Sequence, residues 1–218
     1  MAIARITVLI SGRGSNLAAL LAAERAGRLG GSVTAVVSNR ADAAGLAIAA
    51  AQGVATTVVD HRAYAAREAF DAALAAAVEA SAPALVVLAG FLRILGDDFV
   101  HRFEGRMLNI HPSLLPSYPG LHTHRRALAD GVRIHGCTVH FVTSDLDHGP
   151  IVAQGAVPIA DDDDETTLAA RVLATEHRLL PEAVRAFCEG RLVIEGRRVR
   201  VKDGAPTSGT LEVPAVPD

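Results

Sequence analysis

The chain is 218 residues long, half hydrophobic, with a formal net charge of −3, two cysteines and no tryptophan. That length supports one full-sized α/β domain with its own core, and the charge gives no general electrostatic reason to bind nucleic acid or an anionic membrane. No apolar run reaches the ~20 residues needed to cross a bilayer, and the isolated Cys137 and Cys188 indicate neither a disulfide framework nor a zinc site. The N-terminus passes directly into Arg5-Ile-Thr-Val-Leu-Ile10 without a signal-peptide pattern, so a soluble cytoplasmic protein is expected.

Residues 5–10 are β-branched and apolar, the pattern of a buried strand. Ser11-Gly-Arg-Gly-Ser-Asn16 follows, then a helical run from Leu17 to Ala26 with Ser15 or Asn16 as its N-cap. A helix N-terminus after such a turn can hold an anion. The turn is neither a Walker A loop nor a full GxGxxG, because position 17 is Leu, so a plain βα turn and a phosphate-binding turn both stay open. A strand (Ser32 to Val37), a helix (Ala43 to Gln52) and a short strand (Thr56 to Val59) come next. His61 to Ala82 has no Gly or Pro and reads as one long Ala-rich helix, with Arg67 on its solvated surface. Pro83 to Gly90 is the most apolar strand, suited to the middle of a parallel sheet covered on both faces. Phe91 to Leu95 sits at its C-terminal edge, where open α/β sheets bind ligands.

A short helix at 97–105 leads to the strand Met107 to Ile110, and the chain then meets Pro112, Pro116 and Pro119. Proline fixes φ and removes a donor, so sheet and helix both stop and a stiff loop remains. Asn109 and His111, two apart at its root, share a face that Ile110 does not. A helix (His122 to Gly131) and an alternating strand (Arg133 to Thr143) follow, then a turn from Asp145 to Pro150 and a strand from Ile151 to Ile159. Two successive strands without an intervening helix predict an antiparallel extension. The acidic run Asp161 to Glu165 precedes a helix, Thr166 to Glu189, expected to break or bend near Pro181. A hairpin about Glu195-Gly196 closes the pattern. The fold class expected is α/β: one doubly wound, mostly parallel sheet with an antiparallel extension after residue 133, forming a single domain over 1–204 with a loose tail at 205–218.

Two loops compete for the chemistry, Asn109/His111 and Asp145/Asp147, and His111 alone reads equally well as a structural loop residue. A carboxylate near a histidine favours the imidazolium, which makes a usable general acid near neutral pH. An amide N–H beside it suits an oxyanion formed when a carbonyl is attacked. No nucleophile elbow and no HExxH is present. Acyl transfer straight from donor to acceptor needs neither.

Val8-Leu-Ile-Ser-Gly-Arg-Gly-Ser-Asn-Leu17, Leu88-Ala-Gly-Phe-Leu-Arg-Ile-Leu95, Leu108-Asn-Ile-His-Pro-Ser-Leu-Leu-Pro116 and Leu146-Asp-His-Gly-Pro-Ile151 together resemble the phosphoribosylglycinamide formyltransferase family, folate-dependent enzymes of purine synthesis. The resemblance runs from about residue 5 to residue 190, in the family's motif order. It implies a formyltransferase fold and transfer of a formyl group from 10-formyltetrahydrofolate, a co-substrate, to the amine of glycinamide ribonucleotide, without a metal. By that resemblance His111 is the proton donor, Asn109 holds the oxyanion, and Asp147 keeps the imidazole charged and oriented. Gly14, Ser15 and Asn16 would take the phosphate and Glu176 the ribose. Arg67, Leu92, Arg93, Ile94 and Leu95, with Asn109, would line the folate site, so Arg67 is no longer read as a bare surface residue. The partners implied are small molecules, with no nucleic acid or membrane, in a monomer or homodimer.

Two positions depart from the family pattern. His148 stands before Gly149 where a small residue is common, and a second imidazole there could perturb the Asp147/His111 pair. Leu173 replaces a basic residue that assists phosphate binding in some members, and Arg13 could supply that charge. A formyltetrahydrofolate deformylase shares the Asn-x-His and Asp loops but usually carries an N-terminal regulatory domain. A methionyl-tRNA formyltransferase carries a C-terminal RNA-binding domain, and no dense basic face is evident here. A dinucleotide-binding protein would place a carboxylate after the second strand, where Ser38-Asn-Arg40 stands.

Overall fold

Helices between the apolar runs of the first half return the chain to the same end of the sheet, so those strands pair in parallel. The computed structural model describes residues 3–204. In chain order it contains β1 (Ala4–Ile10), α1 (Ser15–Arg25), β2 (Gly31–Ser38), α2 (Ala44–Ala50), β3 (Ala55–Val58), α3 (Arg67–Glu79) and β4 (Leu85–Leu88). Then follow α4 (Asp97–Arg102), β5 (Met107–His111), α5 (Thr123–Ala129), β6 (Ile134–Phe141), β7 (Ile151–Pro158), α6 (Glu165–Cys188), β8 (Leu192–Glu195) and β9 (Arg198–Val201). The strands form one sheet in the order β3-β2-β1-β4-β5-β6-β7-β9-β8. The first five are parallel; β6 runs antiparallel to β5, and β7 antiparallel to β6. The expected tail at 205–218 lies outside the described residues.

Alternation along the central strands divides their side chains between two cores. Ile6, Val8, Ile10, Val87, Leu108 and Ile110 enter one cluster, with α1, α2 and α6. Leu9, Val86, Leu88 and Met107 enter the other, with Phe70 and Leu74 of α3 and Phe99 of α4. Both faces of β1, β4 and β5 are therefore dry, and the open edge where chemistry can reach them is their carboxyl end.

Local structure departs from expectation at three places, each for a tertiary reason. Neither Ser15 nor Asn16 caps α1; the cap is Gly14, left-handed at φ 76° and without a side-chain bond. A Cβ at Gly14 would lie 2.5 Å from the Cα of Gly45, so the close packing of α2 against this turn requires a glycine here. The long helix expected over His61 to Ala82 is a 3-10 turn at His61–Ala63, an extended Ala66, and then α3. Asp60 accepts from the backbone N–H of Arg62, His61 bonds the Asn39 carbonyl, and Tyr64 packs edge-on against Phe70. Those side-chain anchors outweigh alanine's helix preference, worth only a fraction of about 1 kcal/mol per residue. The break expected at Pro181 is also absent, since α6 runs through it as one helix. Leu168, Val172, Leu180 and Val184 are fully buried along it. At ~1.5–3 kcal/mol each they outweigh the roughly 3 kcal/mol penalty of an internal proline.

Candidate active site

β5 delivers Asn109 and His111 to the carboxyl edge, and its antiparallel register with β6 sets Asn109 opposite His140 and His111 opposite Thr138. The Asn109 Nδ2 donates to His140 Nε2 at 3.1 Å, while His140 Nδ1 donates to the Phe141 carbonyl at 2.9 Å. A carbonyl can only accept, so Nδ1 carries the proton and Nε2 is the acceptor. Burial pushes the His140 imidazole below its usual range and holds it in this neutral tautomer. Asn109 is thereby turned so that its amide keeps a second N–H for a ligand.

Asp147 reaches the same point from the β6–β7 turn, in a left-handed backbone at φ 55° that Asp tolerates better than most residues. Its Oδ2 accepts from the Gly120 N–H at 2.8 Å and lies 3.6 Å from His111 Nδ1; its Oδ1 lies 3.8 Å from His140 Nε2. The side chains of His111, Asp147 and His140 are 7 %, 7 % and 3 % exposed, so solvent screens this charge only weakly. The carboxylate faces both imidazoles beyond direct hydrogen-bond range. His111 Nε2 donates to the Tyr118 carbonyl at 3.0 Å.

The proline loop that supplies Tyr118 and Gly120 is fastened from across the sheet. Thr138 Oγ1 donates to the Ser113 carbonyl and accepts from the Leu115 N–H; Gln154 of β7 donates to the Leu115 carbonyl. Thr123 ties down the Pro112 carbonyl, and the imidazoles of His124 and His135 meet at 3.2 Å with the Tyr118 ring edge-on to His135. Burial, with His124 beside it, pushes His135 down to about 4. His148 is exposed and turned to the Leu146 carbonyl, so the second imidazole against Asp147 is His140 instead. Pro119, Gly120, Asp145, Leu146 and His148 border a cleft of about 540 Å³ over this point.

The residues expected at the ribonucleotide lie at the β1–α1 turn and on α6. Gly14 is buried against Gly45, Ser15 is half-buried, and Asn16 donates through Nδ2 to Glu176 Oε2 at 2.7 Å. Burial pushes the Glu176 carboxyl up, while the Asn16 bond and the charge of exposed Arg13 oppose that shift. After β4, the strand between β1 and β5, Leu92 and Ile94 are 69 % and 59 % exposed beside an exposed Arg93. Leu95, expected among them, is instead buried in the core with Phe91. Arg67 opens α3, 3.6 Å from Asp71. Sequence reasoning missed His140, Thr138, His124 and His135. The alternation of β6 carries three of them, but only the β5–β6 register shows which neighbours they meet. Neither cysteine is a nucleophile here, since burial lifts the thiols of Cys137 and Cys188 to about 12 and about 11.

A parallel sheet with an antiparallel extension, presenting an amide, an imidazole and a carboxylate at its carboxyl edge, is the frame of an acyl-transfer enzyme. The chain belongs to the formyl transferase family, whose sequence model matches residues 4–184. It is 50 % identical over 187 residues to the phosphoribosylglycinamide formyltransferase of Escherichia coli (strain K12), covering 86 % of this chain and 88 % of that protein. It is similar to the crystal structure of glycinamide ribonucleotide transformylase 1 from Symbiobacterium toebii at a TM-score of 0.90 and 53 % identity, over 92 % of this chain and 95 % of that one. A formyltetrahydrofolate deformylase from Pseudomonas syringae is also similar, with a TM-score of 0.86 at 26 % identity, over 93 % of this chain and 67 % of that one.

Proposed function

We propose that residues 1–204 form a formyltransferase domain that moves the formyl group of 10-formyltetrahydrofolate to the amine of glycinamide ribonucleotide, a step of purine synthesis. The observation that carries this reading is the buried Asn109–His140–Asp147–His111 cluster at the end of β5, on the same sheet edge as the β1–α1 turn and the exposed loop after β4. The amine attacks the formyl carbon, a C–N bond forms, and the carbonyl electrons move to oxygen. The free N–H of Asn109 donates a hydrogen bond to that oxyanion. Collapse breaks the bond to the folate N10, which takes a proton from His111, and the proton shed by the amine restores the imidazolium. With Nε2 engaged by Tyr118, Nδ1 is the edge left to deliver that proton, and Asp147 supplies the counter-charge.

The α1 N-terminus with Gly14, Ser15 and Asn16 takes the phosphate, Glu176 the ribose, and Leu92, Arg93 and Ile94, with Asn109 and Arg67, the folate. Arg13 adds the charge that Leu173 does not provide; Arg13→Ala should raise KM for the ribonucleotide, and an unchanged KM removes it from the site. The decisive assay supplies 10-formyltetrahydrofolate with and without glycinamide ribonucleotide. Turnover that requires the amine supports the transferase. Equal turnover in water alone moves the reading to a deformylase, the alternative that the Pseudomonas syringae likeness favours.

A further inference from the structure

We infer that Asp71 is a positioning residue for the folate side, holding both the Leu92–Ile94 edge and the guanidinium of Arg67 in the orientation that meets the ligand. The inference rests on the folate reading above. Asp71 lies one turn into α3, 6 % exposed, within the apolar cluster of Phe70, Leu74, Leu95 and Phe99. A carboxylate placed there costs several kcal/mol unless its oxygens are satisfied. Oδ2 accepts from the Gly96 N–H at 2.8 Å and faces Arg67 Nε at 3.6 Å. Oδ1 is buried with no protein hydrogen-bond partner. The approach at Gly96 leaves no room for a side chain, since a Cβ there would stand 2.7 Å from Oδ2 and 4.0 Å from Arg67 Nη2.

The consequence lies in the loop between the clamps. Its near end is held where the Leu92 N–H donates to Ser11 Oγ and the Ser11 N–H to the Gly90 carbonyl. Its far end is held by Asp71 through Gly96. Between them Phe91 and Leu95 turn into the core while Leu92 and Ile94 point out. Arg67 is half-exposed beside that edge, and a folate carries its negative charge on its glutamate carboxylates. A guanidinium can bind a carboxylate along each of two edges, which a point charge cannot. Closing the 3.6 Å gap to Asp71, with the unpartnered Oδ1 as second acceptor, would complete one edge and leave the other for the ligand carboxylate.

Calorimetric titration with tetrahydrofolate and with tetrahydropteroate, which lacks the glutamate, reads this without turnover, so the result stands whether the formyl acceptor is an amine or water. Asp71→Asn keeps an acceptor for Gly96 but loses the charge that aligns Arg67. It should weaken tetrahydrofolate binding ~10-fold, leave tetrahydropteroate binding and kcat unchanged, and add nothing to Arg67→Ala. Unchanged tetrahydrofolate binding, an equal loss with both ligands, or full additivity with Arg67→Ala overturns it. If Asp71→Asn does not fold, Arg67→Lys decides: the same selective loss supports the two-edged role, and wild-type binding refutes it.

Discussion

His111 and Asp147 face one another across 3.6 Å with both side chains almost fully buried, so removing either is expected to leave the other without its partner. His111→Ala and Asp147→Asn are each expected to lower kcat by orders of magnitude while the thermal midpoint stays near wild type. The double variant should lose far less than the product, because groups acting as a unit are not additive. Full additivity in steady-state kinetics would separate their roles. Asn109→Ala should cost about 10²-fold in kcat with little change in either KM, the mark of a donor felt only in the transition state. A rise in KM alone would make Asn109 a binding residue. The shared face of Asn109 and His111 was legible from spacing because the two lie within three consecutive positions of one strand. His140 was not, because its meaning depends on the register that sets it opposite Asn109.

At the scale of elements, α1 and α6 meet through a bond between Asn16 and Glu176 that carries a buried charge. The Glu176 carboxyl is raised by burial, so the native state binds a proton more tightly than the unfolded chain. Stability therefore falls as pH rises from the ordinary carboxylate range through that raised value. Glu176→Gln keeps an acceptor for Asn16 and should flatten that slope in a pH series of melting curves, while raising KM for the ribonucleotide. An unchanged slope would mean the charge is better solvated than its burial implies. The proline loop behaves in the opposite sense. His135 is depressed to about 4 from an ordinary 6.5, so the unfolded chain binds the extra proton between those values and the fold loses stability as pH drops through that window. His135→Gln should reduce that acid loss, measured as the shift of melting midpoint from pH 6.5 to pH 4. A variant as acid-sensitive as wild type would place the loss elsewhere.

Across the whole molecule, the alternation of apolar runs with Ala-rich helices was enough to foresee a parallel sheet and its antiparallel end, because hydrophobic periodicity is local. The same alternation placed Asn109 and His111 on one face at the strand's end, and the motifs carried the family. Where expectation failed, the deciding contacts came from far along the chain. The helix after His61 is broken by Asn39 and Phe70, and the proline of α6 is tolerated because a core closes over both sides of it. The glycine at position 14 is required by its contact with Gly45. The sequence by itself determined the fold class, the family and the placing of Asn109 and His111 together at a strand's end, since each follows from short-range pattern. The tertiary structure alone decided how those side chains are held: His140 turning Asn109, Gly120 anchoring Asp147, Thr138 and Gln154 pinning the proline loop. Such bonds join residues brought together only when the sheet closes, and no local spacing encodes them.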